Sequence, residues 1–126
     1  MKKDLNSIIL TRHELTIMNV VWEYGAATIR QVKGAIPQKA YTTIGTMMGI
    51  LEMKGALIHG EKGRAFVFMP LLSRQQAVRN QVRDMLIQYF DGKKEKLIRF
   101  ILHNEITSAD QLTNVSKLLE SMTVQE

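Results

Sequence analysis

Residues 40–71 read AYTTIGTMMGILEMKGALIHGEKGRAFVFMPL, and this stretch decides the fold. Ile44, Met47, Met48 and Leu51 fall at i, i+3, i+4 and i+7, the spacing of one buried helix face. Thr42, Gly45, Thr46, Gly49 and Met53 fall opposite, a face without charge and built mostly of small residues. Such a helix can approach another surface closely. Gly55 closes it. Ala56 to His59 reads as a strand, Gly60 to Gly63 as a turn and Ala65 to Met69 as the returning strand, which Pro70 ends. Lys62 and Arg64 put positive charge at the tip of this hairpin.

Upstream, Thr11-Arg12-His13-Glu14 fits a capping box, and Leu15, Met18, Val21 and Trp22 follow at helical spacing. Gly25 stops that first helix. Thr28 caps a short second helix whose face is Ile29, Val32 and Ile36, and Pro37 ends it. Gln38-Lys39-Ala40 is the turn into the third helix, about residues 41–54. Gly45 and Gly49 weaken this third helix by about 1 kcal/mol each relative to Ala, so packing has to hold it. Three helices followed by a basic hairpin is the layout of a winged helix-turn-helix, here over residues 1–72 with the wing at 60–65. That fold most often binds duplex DNA.

Downstream, Ser73-Arg74-Gln75-Gln76 is a second capping-box candidate, and Val78, Val82, Met85, Leu86 and Tyr89 form the stripe of the helix it opens. Asp91-Gly92 breaks that helix. Leu97, Phe100 and Ile101 mark another, and Ser108 caps a last one carrying Leu112, Val115, Leu118, Leu119 and Met122. Residues 73–126 are too few to cover three apolar stripes, and a second subunit is the simplest cover. The expected architecture is mainly α with a small β-hairpin: a winged-helix DNA-binding domain at 1–72 and a helical dimerisation domain at 73–126. The expected dimer contacts are Val82, Leu86, Phe90, Leu97, Phe100, Ile101, Leu112, Val115 and Leu119.

Composition agrees. The chain has 126 residues, 45% of them hydrophobic, and no apolar run approaches the roughly 18 residues of a membrane span. The start, MKKDLNSIIL, has too short an apolar run for a signal peptide, so the cytoplasm is the expected compartment and no membrane insertion is expected. Absence of cysteine removes disulfides and thiolate metal sites. Residues 1–72 hold nine Lys/Arg against five Asp/Glu, a net of +4, while residues 73–126 hold eight against seven. A phosphate backbone would explain the excess beside the groove helix, although many soluble domains carry a few extra positive charges.

The residues Leu10-Thr11-x-x-Glu14-x-x-x-Met18-x-x-x-Trp22, Tyr41-Thr42-Thr43-Ile44-x-Thr46, Leu51-Glu52-x-Lys54-Gly55, Gly63-Arg64-Ala65-Phe66 and Pro70-Leu71-x-Ser73 resemble the penicillinase-repressor family, which includes the methicillin-resistance and copper-transport repressors. The resemblance covers residues 8 to about 75 strongly and the tail in length and helical pattern. Each motif is loose; their order and spacing together are specific. The resemblance implies a homodimeric transcriptional repressor whose winged helix reads a double-stranded operator half-site. Tyr41, Thr42, Thr43 and Thr46 then sit where the recognition helix meets DNA, and Arg64 sits in the wing. Arg12, Thr28, Lys39 and Lys62 complete the expected DNA-contacting set.

The chain also departs from the family. Positions 49 and 53, often basic in the family, are Gly and Met, so the helix has no basic side chain before Lys54. Arginine readout of guanine is then unavailable from its exposed face, while threonine can still meet phosphates, base edges and thymine methyls. Some members are inactivated by a membrane-linked protease at a bond resembling Asn-Phe, which makes a regulatory protease a further implied partner. The closest match by position is Arg99-Phe100, without the Asn. Copper-responsive members bind Cu(I) through C-terminal cysteines, and this chain has none.

Other readings of these residues are plainer. The threonines could be a solvated helix start, and Tyr41 could be a core residue under it. Lys62 and Arg64 suit phosphates better than base edges, because a hairpin tip meets the backbone first. Trp22 and the eight Met residues read as core, and His13, His59 and His103 lack ligand spacing, so no metal or cofactor is expected. Nothing supports catalysis. Two functions remain: a DNA-binding repressor, and a winged-helix protein-interaction module that has lost sequence-specific DNA binding.

Overall fold

The computed structural model describes residues 4–123 of the chain. After a single 3-10 turn at Leu5–Ser7 come α1 (Arg12–Tyr24), α2 (Ile29–Ala35) and α3 (Tyr41–Lys54). The antiparallel strands β1 (Leu57–Lys62) and β2 (Ala65–Pro70) follow, then α4 (Arg74–Tyr89), α5 (Lys94–Asn104) and α6 (Ala109–Thr123). Six helices and a two-stranded hairpin make the mainly helical α+β fold expected from the sequence. The chain divides into two compact units, one up to Arg83 and one from Asp84, so α4 runs through the division.

The first unit is built on one core. Ile17, Met18 and Val21 of α1, Val32 of α2, and Ile44, Met48 and Leu51 of α3 are fully buried with Leu57 and Leu72, and Phe68 is buried beside them. Thr11 caps α1 as the sequence indicates: its hydroxyl accepts from the Glu14 amide at 3.2 Å, and its own amide donates to Glu14 Oε1 at 2.8 Å. Thr28 and Gln31 repeat the same capping box at α2, a partnership the sequence reading did not draw. Ser73 completes only half of the third candidate. Its Oγ accepts from the Gln76 amide, whereas the Gln76 side chain donates to Asn6.

Three expectations need correction. The buried stripe of α1 is Glu14, Ile17, Met18 and Val21, not one through Leu15. Leu15 and Trp22 lie on one edge of that stripe, where Trp22 is half-buried with its indole N–H donating to the Leu72 carbonyl at 2.8 Å and Leu15 is exposed. The hairpin turn is also shorter than Gly60 to Gly63. Lys62 pairs with Ala65, which leaves only Gly63 and Arg64 between the strands, and Gly60 pairs with Val67 inside the ladder. Gly63 has φ 66°, and a positive φ at the first of two loop positions is where tight hairpins place glycine. Finally, Gly45 is not on the open face of α3: a Cβ there would meet Ile29 Cδ1 of α2 at 3.5 Å.

The hairpin is fastened to the helices by backbone. The Ala27 amide donates to the Phe68 carbonyl at 2.9 Å and the Phe68 amide to the Ala27 carbonyl at 2.8 Å, making a one-residue third strand between α1 and α2. Asn80, in the part of α4 that belongs to the first unit, donates to the carbonyls of Leu5 and Ile8. In the second unit, Asp91 and Gly92 both take positive φ, 51° and 73°, and end α4 with the Gly92 amide bonded to the Leu86 carbonyl. The Phe90 and Phe100 rings meet edge-on at 6.0 Å.

Glu14 is the buried charge of this fold. Its Oε1 lies 2.7 Å from Lys54 Nζ. Burial pushes the carboxyl up, but Lys54 and the Thr11 amide and hydroxyl outweigh burial and hold it below its ordinary value of 4.5. A lowered carboxyl contributes stability that is complete above the unfolded value and lost as pH falls through the folded one. Glu14→Gln is expected to cost about 1–3 kcal/mol in urea unfolding at neutral pH. The gap between variant and wild type should close as the solution is acidified below the ordinary carboxyl value. Parallel stability curves across that range would remove Glu14 as a contributor.

Candidate nucleic-acid interface

The exposed face of α3 carries Thr42, Thr43, Thr46, Gly49, Ile50 and Met53. Met53 is 80% exposed, and a Cβ on Gly49 would meet nothing within 4 Å. Tyr41 is exposed at the helix start, which decides against its being core. Ala40 offers no side-chain cap, so the first-turn amides of α3 have no capping side chain at the N-cap.

The helix has two charged residues, and both are used inside the fold. Lys54 pairs with Glu14. Glu52 accepts from the His59 backbone amide at 3.0 Å and lies 2.7 Å from His59 Nδ1, while the His59 ring packs 4.5 Å from that of Phe66. Glu52 thus ties the end of α3 to β1. The open face of α3 is left uncharged.

Positive charge comes from the surroundings. Arg12, Lys62 and Arg64 are exposed and form no ion pair among the described residues. Lys62 ends β1 and Arg64 is the second of the two turn residues, and Arg12 is the first residue of α1. Lys39 Nζ lies 3.1 Å from His13 Nδ1 and ties the α2–α3 turn to α1. The turn itself is held by Lys33, whose Nζ donates to the carbonyls of Pro37 and Lys39 at 2.6 and 2.7 Å. Sequence reasoning missed Lys33, and its only signal was a cation in the last turn of α2, near the unpaired carbonyls that follow. Thr28 is taken up in capping α2.

The candidate dimer residues are placed unevenly. Val82 belongs to the first unit, and the rest to the second. Leu86 is buried within its own chain at 8% exposure. Phe90, Leu97 and Val115 are half-buried, and Phe100, Ile101, Leu112 and Leu119 are exposed. Ile98, Leu102, Leu118 and Met122 are exposed beside them, of which Ile98 and Leu102 lay outside the stripes read from the sequence. Among the described residues no group of three His, Asp or Glu side chains could hold a metal, and no helix is long and apolar enough to cross a membrane.

A comparison with known families matches residues 10–121 to the family described as Penicillinase repressor. The chain belongs to the penicillinase repressor family. Members of this family are transcriptional regulators, not enzymes. The penicillinase repressor of Bacillus licheniformis is 26% identical over 110 residues, covering 85% of this chain and 86% of that one. A solved structure described as the solution structure of the DNA binding domain of the repressor BlaI is 32% identical. It covers 60% of this chain and 93% of that chain with a TM-score of 0.50.

Gly49 provides a direct check on the open face. Glycine inside a helix costs about 1 kcal/mol relative to alanine, and nothing blocks the added methyl. Gly49→Ala is expected to raise stability by about that amount in thermal or urea unfolding. A destabilised variant would mean that the face is not open in solution.

Proposed function

We propose that this penicillinase-repressor family member is a homodimeric DNA-binding transcriptional repressor of the cytoplasm. The division of labour is a winged-helix domain over residues 1–72 and a helical dimerisation domain over residues 73–126. α3 enters the major groove with Thr42, Thr43 and Thr46 toward the base edges. Tyr41, Arg12, Lys39, Lys62 and Arg64 meet the sugar-phosphate backbone, and Thr28 stands at the α2 N-terminus on the same path. One observation carries the reading: an exposed helix face of threonines and glycine, its own charges paired with other residues of the fold, joined through Glu52 and His59 to a hairpin whose tip cations have no ion-pair partner among the described residues. The same uncharged face, with Met53 exposed, is what favours the protein-interaction module as the second reading.

Salt dependence separates the two. A repressor should bind even a random duplex with an affinity that falls steeply with salt, and Arg64→Ala should weaken all duplexes alike while lowering the slope by about one unit. If Arg64→Ala instead altered the preferred sequence with an unchanged slope, Arg64 would be a base reader. Absence of salt-dependent binding by the wild-type chain would leave the interaction module.

The dimer reading rests on α5 and α6, whose apolar side chains stand in solvent in the single chain. Leu119, 58% exposed in α6, can accept a charge without harm to the monomer's own packing. Leu119→Asp should therefore shift sedimentation from dimer to monomer with little loss of helical signal; a wild-type monomer at tens of micromolar would end the proposal. A regulatory protease acting at Arg99-Phe100 would first have to unwind α5, since that bond lies inside the helix.

A further inference from the structure

A groove of about 540 Å³ lies between α1 and the beginning of α4, wholly inside the first unit. Its size suits a small organic ligand. Its walls explain the exposure of two side chains that the fold leaves uncovered, Leu15 at 42% and Val78 at 56%. The Trp22 ring forms part of the wall, held in place by its bond to the Leu72 carbonyl.

Two cations line this apolar groove, Arg12 and Arg74, and no carboxylate does. Neither arginine has an ion-pair partner among the described residues. Arg74 is positioned nonetheless. Its guanidinium lies 5.0 Å over the Trp22 ring and donates one bond, of 3.1 Å, to Asn19 Oδ1. A guanidinium has five N–H donors in a planar fork, so a bidentate edge remains for a carboxylate. A cationic ligand would meet repulsion here. A polyphosphate would leave the Leu15 and Val78 walls wet.

We propose that the groove between α1 and α4 binds a small amphipathic carboxylate, its apolar body against Leu15, Trp22 and Val78 and its carboxylate on Arg74. The site goes beyond DNA binding and does not depend on it. Trp22 is the only tryptophan of the chain, so its emission reports the groove without any DNA present.

The experiment titrates the full chain with 4-phenylbutanoate and with its uncharged amide, 4-phenylbutanamide, by Trp22 fluorescence and by equilibrium dialysis. The carboxylate is expected to bind saturably, and the amide about ten-fold more weakly, which is the loss of one charge-assisted pair. Arg74→Gln should bring the carboxylate down to the affinity of the amide and leave the amide unchanged. Val78→Glu should abolish binding of the carboxylate. Equal affinity of the two probes on the wild-type chain overturns the proposal whatever the variants do, and so does absence of carboxylate binding in dialysis. Val82, a proposed dimer contact, also lines the groove, so sedimentation in which Val78→Glu splits a dimer overturns the proposal, because the groove is then a contact between copies of this chain.

Discussion

A carboxylate buried in the first turn of α1 must find a cation, and in this fold the cation arrives from the last turn of α3. The 2.7 Å Lys54–Glu14 pair joins residues 40 positions apart and fixes where α3 ends relative to where α1 begins. Two bonds hold the same end of α3 to the hairpin through Glu52 and His59. An isolated surface pair is worth little, but Glu14 is buried and also bonded to Thr11, so loss of Lys54 leaves a buried carboxylate without its cation. The order of the first unit therefore depends on where α3 spends its two charges. Spending them inward is also what leaves its outer face neutral.

That choice shifts the stability of α3 from local propensity to burial. The helix carries two glycines and three threonines and begins at an alanine that caps nothing. Set against this are Ile44, Met48 and Leu51, all fully buried, each contributing about 1.5–3 kcal/mol of transfer from water. Glycines costing about 1 kcal/mol apiece are outweighed by such a stripe. Gly45 faces α2, where a Cβ would stand at ordinary contact distance from Ile29 Cδ1, 3.5 Å. Gly49 has no such contact, which makes its absent side chain a property of the surface and not of the core.

Much of this was legible in the sequence, and the failures have physical causes. The 3.6-residue period gave α3 its boundaries and its buried face, and Thr11 with Glu14 announced the start of α1. The same period misplaced Leu15, because Leu15 and Ile17 are both apolar and only packing decides which edge of the stripe turns inward. Gly60 read as a turn residue, yet a two-residue turn at Gly63-Arg64 leaves it in the ladder opposite Val67. The Ala27–Phe68 bridge had no signal, since backbone pairing of a lone alanine leaves no pattern in side chains. Glu14 read as a cap and proved to be a buried anion as well; the sequence held Lys54 in view but not the distance between them. The open face of α3 was read as threonines and glycines, and only Gly45 changed sides.

An uncharged reading face changes how the proposed complex would divide affinity from specificity. Guanine is most often read by a bidentate arginine, and α3 can offer none from the face in question. Apolar contacts with thymine methyls are what Thr42, Thr46, Ile50 and Met53 can supply, with hydroxyls adding single bonds to base edges or phosphates. Such contacts discriminate less per base than a bidentate pair. Affinity in that complex would then come from cations outside the helix, Arg12, Lys39, Lys62 and Arg64, and phosphate contacts from them would carry no sequence information. Two identical half-sites restore what one lacks: linking them makes the second contact intramolecular and multiplies weak individual preferences. In the proposed complex the exposed stripes of α5 and α6 would serve recognition itself, because a monomer with this α3 would hold DNA by charge and read it poorly.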